Sequence, residues 1–211
     1  MLFRSLMGFG SSVRFHDSAL LEQNIADGKT AIDVCSRMGI PQIRVFGDKI
    51  EDPSKREEIT AQVIRGLREL CTHAEGKNVN VLLEVHGNFN TIEALTPVIE
   101  ALKGCKPFGI LWDVQHSDKT YGDGWAAFYE FIKPYIRHVH IKDYKRDHIP
   151  PYRLCLTGEG DIPLEDIMAR LQKDGYAGWY SFEWEKLWQP EIPEPEIAFP
   201  HFAEFIKKQL A

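Results

Sequence analysis

"DPSKREEITAQVIRGLRELCTHAEGKNVNVLLEVHGNF", residues 52 to 89, holds one complete step from helix to strand, and the same step recurs along the chain. Asp52 is placed to cap a helix. Pro53 fits the first helical position, where no amide hydrogen is needed, and Ile59, Val63, Leu67 and Leu70 recur at three- and four-residue steps. The run Val79 to Val85 that follows reads as a strand, and its alternation sends Glu84 and His86 to one face.

Outward from this stretch, further strands are expected near Ser5 to Ser11, Gln42 to Phe46, Gly109 to Val114, Ile136 to Lys142 and Trp179 to Trp184. Helical spacing marks Ser18 to Met38, ended by Gly39 and Pro41, then Thr91 to Leu102, Trp125 to Tyr135, Leu164 to Asp174 and Phe202 to Leu210. The proline-rich "WQPEIPEPEIAFP", residues 188 to 200, reads as an extended surface loop. Strands alternating with helices imply a parallel α/β sheet within a single domain, 1–211. Six βα units in 211 residues is about 35 residues each, close to the spacing of a (β/α) barrel. Alternation alone does not choose between an incomplete TIM-barrel-like fold of about six units and a doubly wound sheet.

Composition narrows the functional classes. An apolar content of 44%, with 11% aromatic residues, is ample for a packed core. A formal charge of -6, with basic residues dispersed among acidic ones, leaves no basic stripe for a phosphate backbone, so no nucleic-acid partner is expected. Cys35, Cys71, Cys105 and Cys155 are widely spaced and contain no C-x-x-C pair, which fits a reducing, cytoplasmic setting. No apolar run approaches the roughly 20 residues of a membrane helix, and "MLFRSLMGFG" is too short and glycine-broken for a secretion signal. A soluble protein without a membrane partner is the expectation.

The chemistry gathers at strand ends. Glu84 and His86 are followed by Asp113 with His116, by His138 with His140, and by Glu183 with Glu185. Parallel α/β folds build their sites at the C-terminal ends of strands. Burying such a charge costs several kcal/mol unless it is paired or metal-bound, so four strand ends in succession point to a divalent cation. Carboxylates with imidazole and no thiolate suit Mn²⁺, Mg²⁺, Co²⁺ or Zn²⁺. Lys142 and Asp143 read as rim residues that pair with neighbours, and Arg14 and Arg44 suit salt bridges or substrate contacts equally. "TGEGDIP", residues 157 to 163, lacks a nucleotide-loop spacing and reads as a shaped loop over the pocket.

The stretches "GSSVRFHD" (10–17), "IRVFGD" (43–48), "LLEVHGNF" (82–89), "LWDVQHS" (111–117), "HVHIKDYKR" (138–146), "GEGDIPLEDI" (158–167) and "YSFEWE" (180–185) together resemble the xylose isomerase-like TIM barrels, in their sugar phosphate isomerase/epimerase branch. The resemblance implies Glu84, Asp113, His140 and Glu183 as ligands of one divalent metal ion. It implies His86, His116 and Arg146 as substrate-binding groups, and His138 as an interior residue below His140. Glu84 and Glu183 become the catalytic pair, one withdrawing and one returning a proton beside a carbonyl through an enediolate. The implied activity is that of a sugar or sugar-phosphate isomerase or epimerase in carbohydrate metabolism, acting on a small-molecule sugar or polyol-derived ketone. An inosose-type dehydratase and a non-catalytic metal- or sugar-binding protein are the competing readings; an abasic-DNA endonuclease would need more histidines and a basic groove. The first motif resembles the third unit of that family, so two βα units are expected to be missing, and either the exposed sheet edges are covered in a homo-oligomer, a dimer, or the chain is a truncated form of a longer protein.

Overall fold

The computed structural model describes residues 9–146 and 152–210. In chain order the strands and helices are β1 (Phe9–Arg14), α1 (Leu21–Met38), β2 (Gln42–Phe46), α2 (Arg56–Ala74), β3 (Asn80–Glu84), α3 (Ile92–Ala101), β4 (Phe108–Asp113), α4 (Val114–Tyr121), α5 (Trp125–Ile132), β5 (Ile136–Ile141), β6 (Asp143–Tyr144), β7 (Leu154–Cys155), α6 (Leu164–Lys173), β8 (Trp179–Phe182) and α7 (Pro195–Leu210). Six strands form one sheet in the order β1-β2-β3-β4-β5-β8, with β1 and β8 at its two ends. The pairs β1–β2, β2–β3, β3–β4 and β5–β8 are parallel. A doubly wound sheet reverses its strand order at a switch point. Here the order follows the chain without reversal, which decides for the barrel-type winding of about six βα units.

The chain packs as two compact units, Met1–Trp112 with Ala127–Arg137 and Asp113–Ala126 with His138–Ala211. In the first, α2 opens as expected: Asp52 accepts the Ser54 amide at 2.9 Å, and a single 3-10 turn over Pro53–Lys55 leads into the helix. Ile59, Val63, Leu67 and Leu70 are all buried. The helix α1 ends at Gly39, whose φ of 69° is left-handed, with its N–H turned back to Cys35 and Ser36 carbonyls. Gly28 of α1 faces Leu70 of α2 closely, so that a Cβ there would meet a leucine methyl at 2.7 Å and the side chain would have to shift to admit it. Leu67 has no exposed surface. Leu67→Ala is expected to cost about 3 kcal/mol, read as a lowered midpoint in urea unfolding.

In the second unit α6 buries Leu164, Ile167, Met168 and Leu171 on one face and packs on α7. Among the described residues no helix is long and apolar enough to cross a membrane, and the four cysteines are free thiols.

Several boundaries differ from the sequence reading. β1 begins at Phe9 and runs on to Arg14, while positions 5–8 of the expected first strand lie outside the described residues. α4 was not expected: "VQHSDKTY" has weak apolar periodicity, and its start is set by Asp113, whose carboxylate accepts the Gln115 and His116 amides. α7 begins at Pro195, inside the stretch read as a loop, because proline at a helix start gives up an amide that has no partner there anyway. β6 and β7 are two-residue strands paired antiparallel, Asp143 opposite Cys155.

Candidate metal centre and its surroundings

In the first unit β2 and β3 run in parallel register, Arg44 opposite Leu82. Arg44 Nη1 lies 3.2 Å from Glu84 Oε2, and Glu84 is only 2% exposed. The guanidinium also sits 4.6 Å from the centre of the Phe46 ring, a cation–π contact that holds it in place. Beyond β2, buried Asp48 adopts a left-handed φ of 61°. Arg14 Nη1 is 2.9 Å from its Oδ2, His16 Nδ1 is 3.9 Å from the same oxygen, and His86 Nδ1 is 3.6 Å from Oδ1. His86 in turn meets the Phe46 ring edge to face at 5.2 Å. Arg14 and Arg44 thus both form salt bridges.

In the second unit Asp113 stands at the end of β4, fully buried. Its Oδ1 accepts the Gln115 N–H at 2.9 Å and the His116 N–H at 3.3 Å, capping α4. Its Oδ2 lies 2.8 Å from Lys142 Nζ. The same ammonium donates to Glu183 Oε2 at 2.6 Å and to Glu185 Oε1 at 2.8 Å. His140 Nδ1 is 3.4 Å from Glu183 Oε2. His138 is buried and meets the His140 ring edge to face at 5.4 Å. Lys142 and Asp143 are therefore core residues and not rim residues: Lys142 is 1% exposed and Asp143 has no exposed surface.

Burial opposes the charge on Lys142, but the attraction of Asp113, Glu183 and Glu185 outweighs it and raises its pKa well above the ordinary lysine range. Burial likewise opposes ionisation of Glu183; the hydrogen bond to His140 and the charge of Lys142 overcome it and hold the carboxyl far below the usual range. Lys142 is thus a fixed cation and Glu183 a fixed anion at neutral pH. Three carboxylates (Asp113, Glu183, Glu185) against one ammonium leave a charge of 1 - 3 = -2 on this group. A divalent cation would neutralise it, and the donor set is of the oxygen and imidazole kind that such ions prefer.

Within the second unit Asp113, His140 and Glu183 each offer one ligand atom, and these atoms all lie within 4.8 Å of one another. They are three of the four residues that the family resemblance implies as ligands; the fourth, Glu84, ends β3 in the first unit. His86 stands beside Asp48, and His116 Nε2 is 3.7 Å from Asp113 Oδ2. Arg146 is clamped by Asp118, with Nε 3.0 Å and Nη2 2.5 Å from its two oxygens, and by Asp123 at 2.8 Å. Tyr144 donates its hydroxyl to Asp118 at 2.8 Å. Lys142 is the residue that sequence reasoning passed over; the alternation His138, His140, Lys142 along "HVHIKD" was the available signal.

The sequence pattern of the xylose isomerase-like TIM barrel family matches residues 5–209. No curated protein matches the chain. Among solved structures, D-allulose 3-epimerase from Methylomonas sp., in complex with D-allulose, is 20% identical with a TM-score of 0.71, over 96% of this chain and 75% of that one. The IOLI protein, with a bound zinc atom, is 20% identical with a TM-score of 0.71, over 84% of this chain and 66% of that one. The probable 3-DHS dehydratase AsbF from Bacillus anthracis is 17% identical with a TM-score of 0.67, over 84% of this chain and 69% of that one. At these identities the likeness is one of fold.

Proposed function

Because this chain belongs to the xylose isomerase-like TIM barrel family, we propose that it is a divalent-metal-dependent isomerase or epimerase of a sugar or sugar-derived ketone. The observation that carries the reading is the convergence of Asp113, His140 and Glu183 in the second unit, to which the family resemblance adds Glu84. A divalent ion held by them would stabilise the negative charge that develops on a substrate carbonyl oxygen during proton abstraction. Glu84 and Glu183 withdraw and return the proton at the carbon next to that carbonyl. His86 and His116 contact substrate hydroxyls. Arg146, its guanidinium oriented by Asp118 and Asp123, faces a substrate oxygen.

A dehydratase acting through the same proton abstraction is the second reading, favoured by the fold that the chain shares with AsbF. The two are separated by incubating the metal-loaded protein in deuterium oxide with ketohexoses, ketopentoses and inosose. Isomerase or epimerase activity is expected to place solvent deuterium in a product of unchanged mass formula, whereas a dehydratase releases water. Chelation with EDTA is expected to abolish turnover, and added Mn²⁺ to restore it. Activity indifferent to chelation, with no metal in the purified protein, overturns the proposal.

A further inference from the structure

The Lys142 ammonium is enclosed by three carboxylates, and two of them, Asp113 and Glu183, belong to the ligand set. We infer that Lys142 is a positioning residue for the metal centre: it fixes Asp113 and Glu183 in their ligand orientations and holds Glu185 off the ion as a counter-charge. The inference rests on the metal-dependent reading above and names a part of that site which the ligand set does not contain.

Geometry carries it. Asp113 is anchored at both oxygens, Oδ1 by two amides at the start of α4 and Oδ2 by Lys142 at 2.8 Å. Each carboxylate oxygen has two lone pairs, so an oxygen that meets Lys142 keeps one for coordination. Glu183 Oε2 is held at 2.6 Å by Lys142, with His140 Nδ1 at 3.4 Å from the same oxygen, which ties a carboxylate ligand and an imidazole ligand to one point. Glu185 Oε1 is taken up by Lys142 at 2.8 Å. Glu183 and Glu185 lie two residues apart, and the ammonium divides the labour between them: one accepts a bond and still faces the ligand cluster, the other balances charge. Outer partners that orient ligands typically change metal affinity by about 10- to 100-fold when removed.

Positioning and plain electrostatics predict opposite signs. Lys142→Met takes the group from a charge of -2 to -3, so charge alone would tighten cation binding, whereas loss of the anchor weakens it. The test is Mn²⁺ titration by isothermal calorimetry on the whole chain, after chelation and dialysis, with circular dichroism on every variant. Lys142→Met is expected to bind one Mn²⁺ about 10- to 100-fold more weakly. Glu185→Gln, in which Lys142 still holds both ligands, is expected to stay within about threefold. The double variant Lys142→Met with Glu185→Gln restores the charge of -2 and removes the carboxylate left without its counter-charge, so it keeps the question open to experiment if the single variant does not fold; it too is expected to bind about 10- to 100-fold more weakly. Unchanged or tighter binding in the double variant, or in a folded Lys142→Met, overturns the inference and leaves the metal reading standing. Absence of Mn²⁺ binding by the unaltered protein overturns the metal reading and the inference with it.

Discussion

Glu183→Gln is expected to lower turnover by at least about 10²-fold and to release the divalent ion on dialysis. Both losses follow from one atom exchange. The amide cannot take a proton, so the proposed acid/base pair with Glu84 is broken, and as a neutral oxygen donor it is a weaker ligand for a dication than the carboxylate it replaces. The orientation of the amide is also constrained. With Lys142 Nζ 2.6 Å from Glu183 Oε2, only the amide oxygen is accepted at that position, since an NH₂ there would set donor against donor. Initial rates with saturating Mn²⁺, alongside elemental analysis of the dialysed protein, check the result. A variant with full activity and one bound ion per chain would remove Glu183 from both roles.

Asp143→Ala is expected to cost about 3 to 4 kcal/mol of folding stability, measured by urea unfolding. Asp143 has no exposed surface. Its Oδ1 accepts the Tyr144 amide at 2.9 Å and the Ile162 amide at 3.3 Å, and its Oδ2 accepts the Gly158 and Gly160 amides at 2.9 Å each. The glycine-rich loop thus turns its N–H groups inward onto the protein's own carboxylate. Gly160 is the condition for this, because a Cβ at that position would collide with the Asp143 carboxylate. Removing the side chain orphans four donors at once, and unpaired buried donors are costly. Asp143→Asn keeps one acceptor oxygen and should fall between the alanine variant and the unaltered protein. A loss below about 1 kcal/mol for the alanine variant would mean that water or other groups take over these amides.

Long apolar runs made most of the fold legible. Gln42–Phe46 is a strand where it was expected, and β3, β4 and β5 fall within a residue or two of expectation, because buried parallel strands are read from local composition. α4 was illegible because one capping carboxylate starts it and not an apolar stripe. β6 and β7 were illegible because they are held by a pairing across eleven intervening positions, Asp143 to Cys155. The four candidate ligands stood out in the sequence for a different reason: alternation fixes which strand-end side chains share a face, and each of the four sits at a strand end.

Residue order alone settled the alternation of strand and helix, the family to which the chain belongs, and the strand ends that carry carboxylate and imidazole. Tertiary structure decided what those groups do to one another. The register of β5 against β8, with His140 opposite Ser181 and the Glu183 amide bonded to Ile141, brings Lys142 between Glu183 and Glu185. Which oxygen an ammonium reaches depends on distances between strands far apart in the chain. A pattern of side chains along one strand contains no measure of those distances.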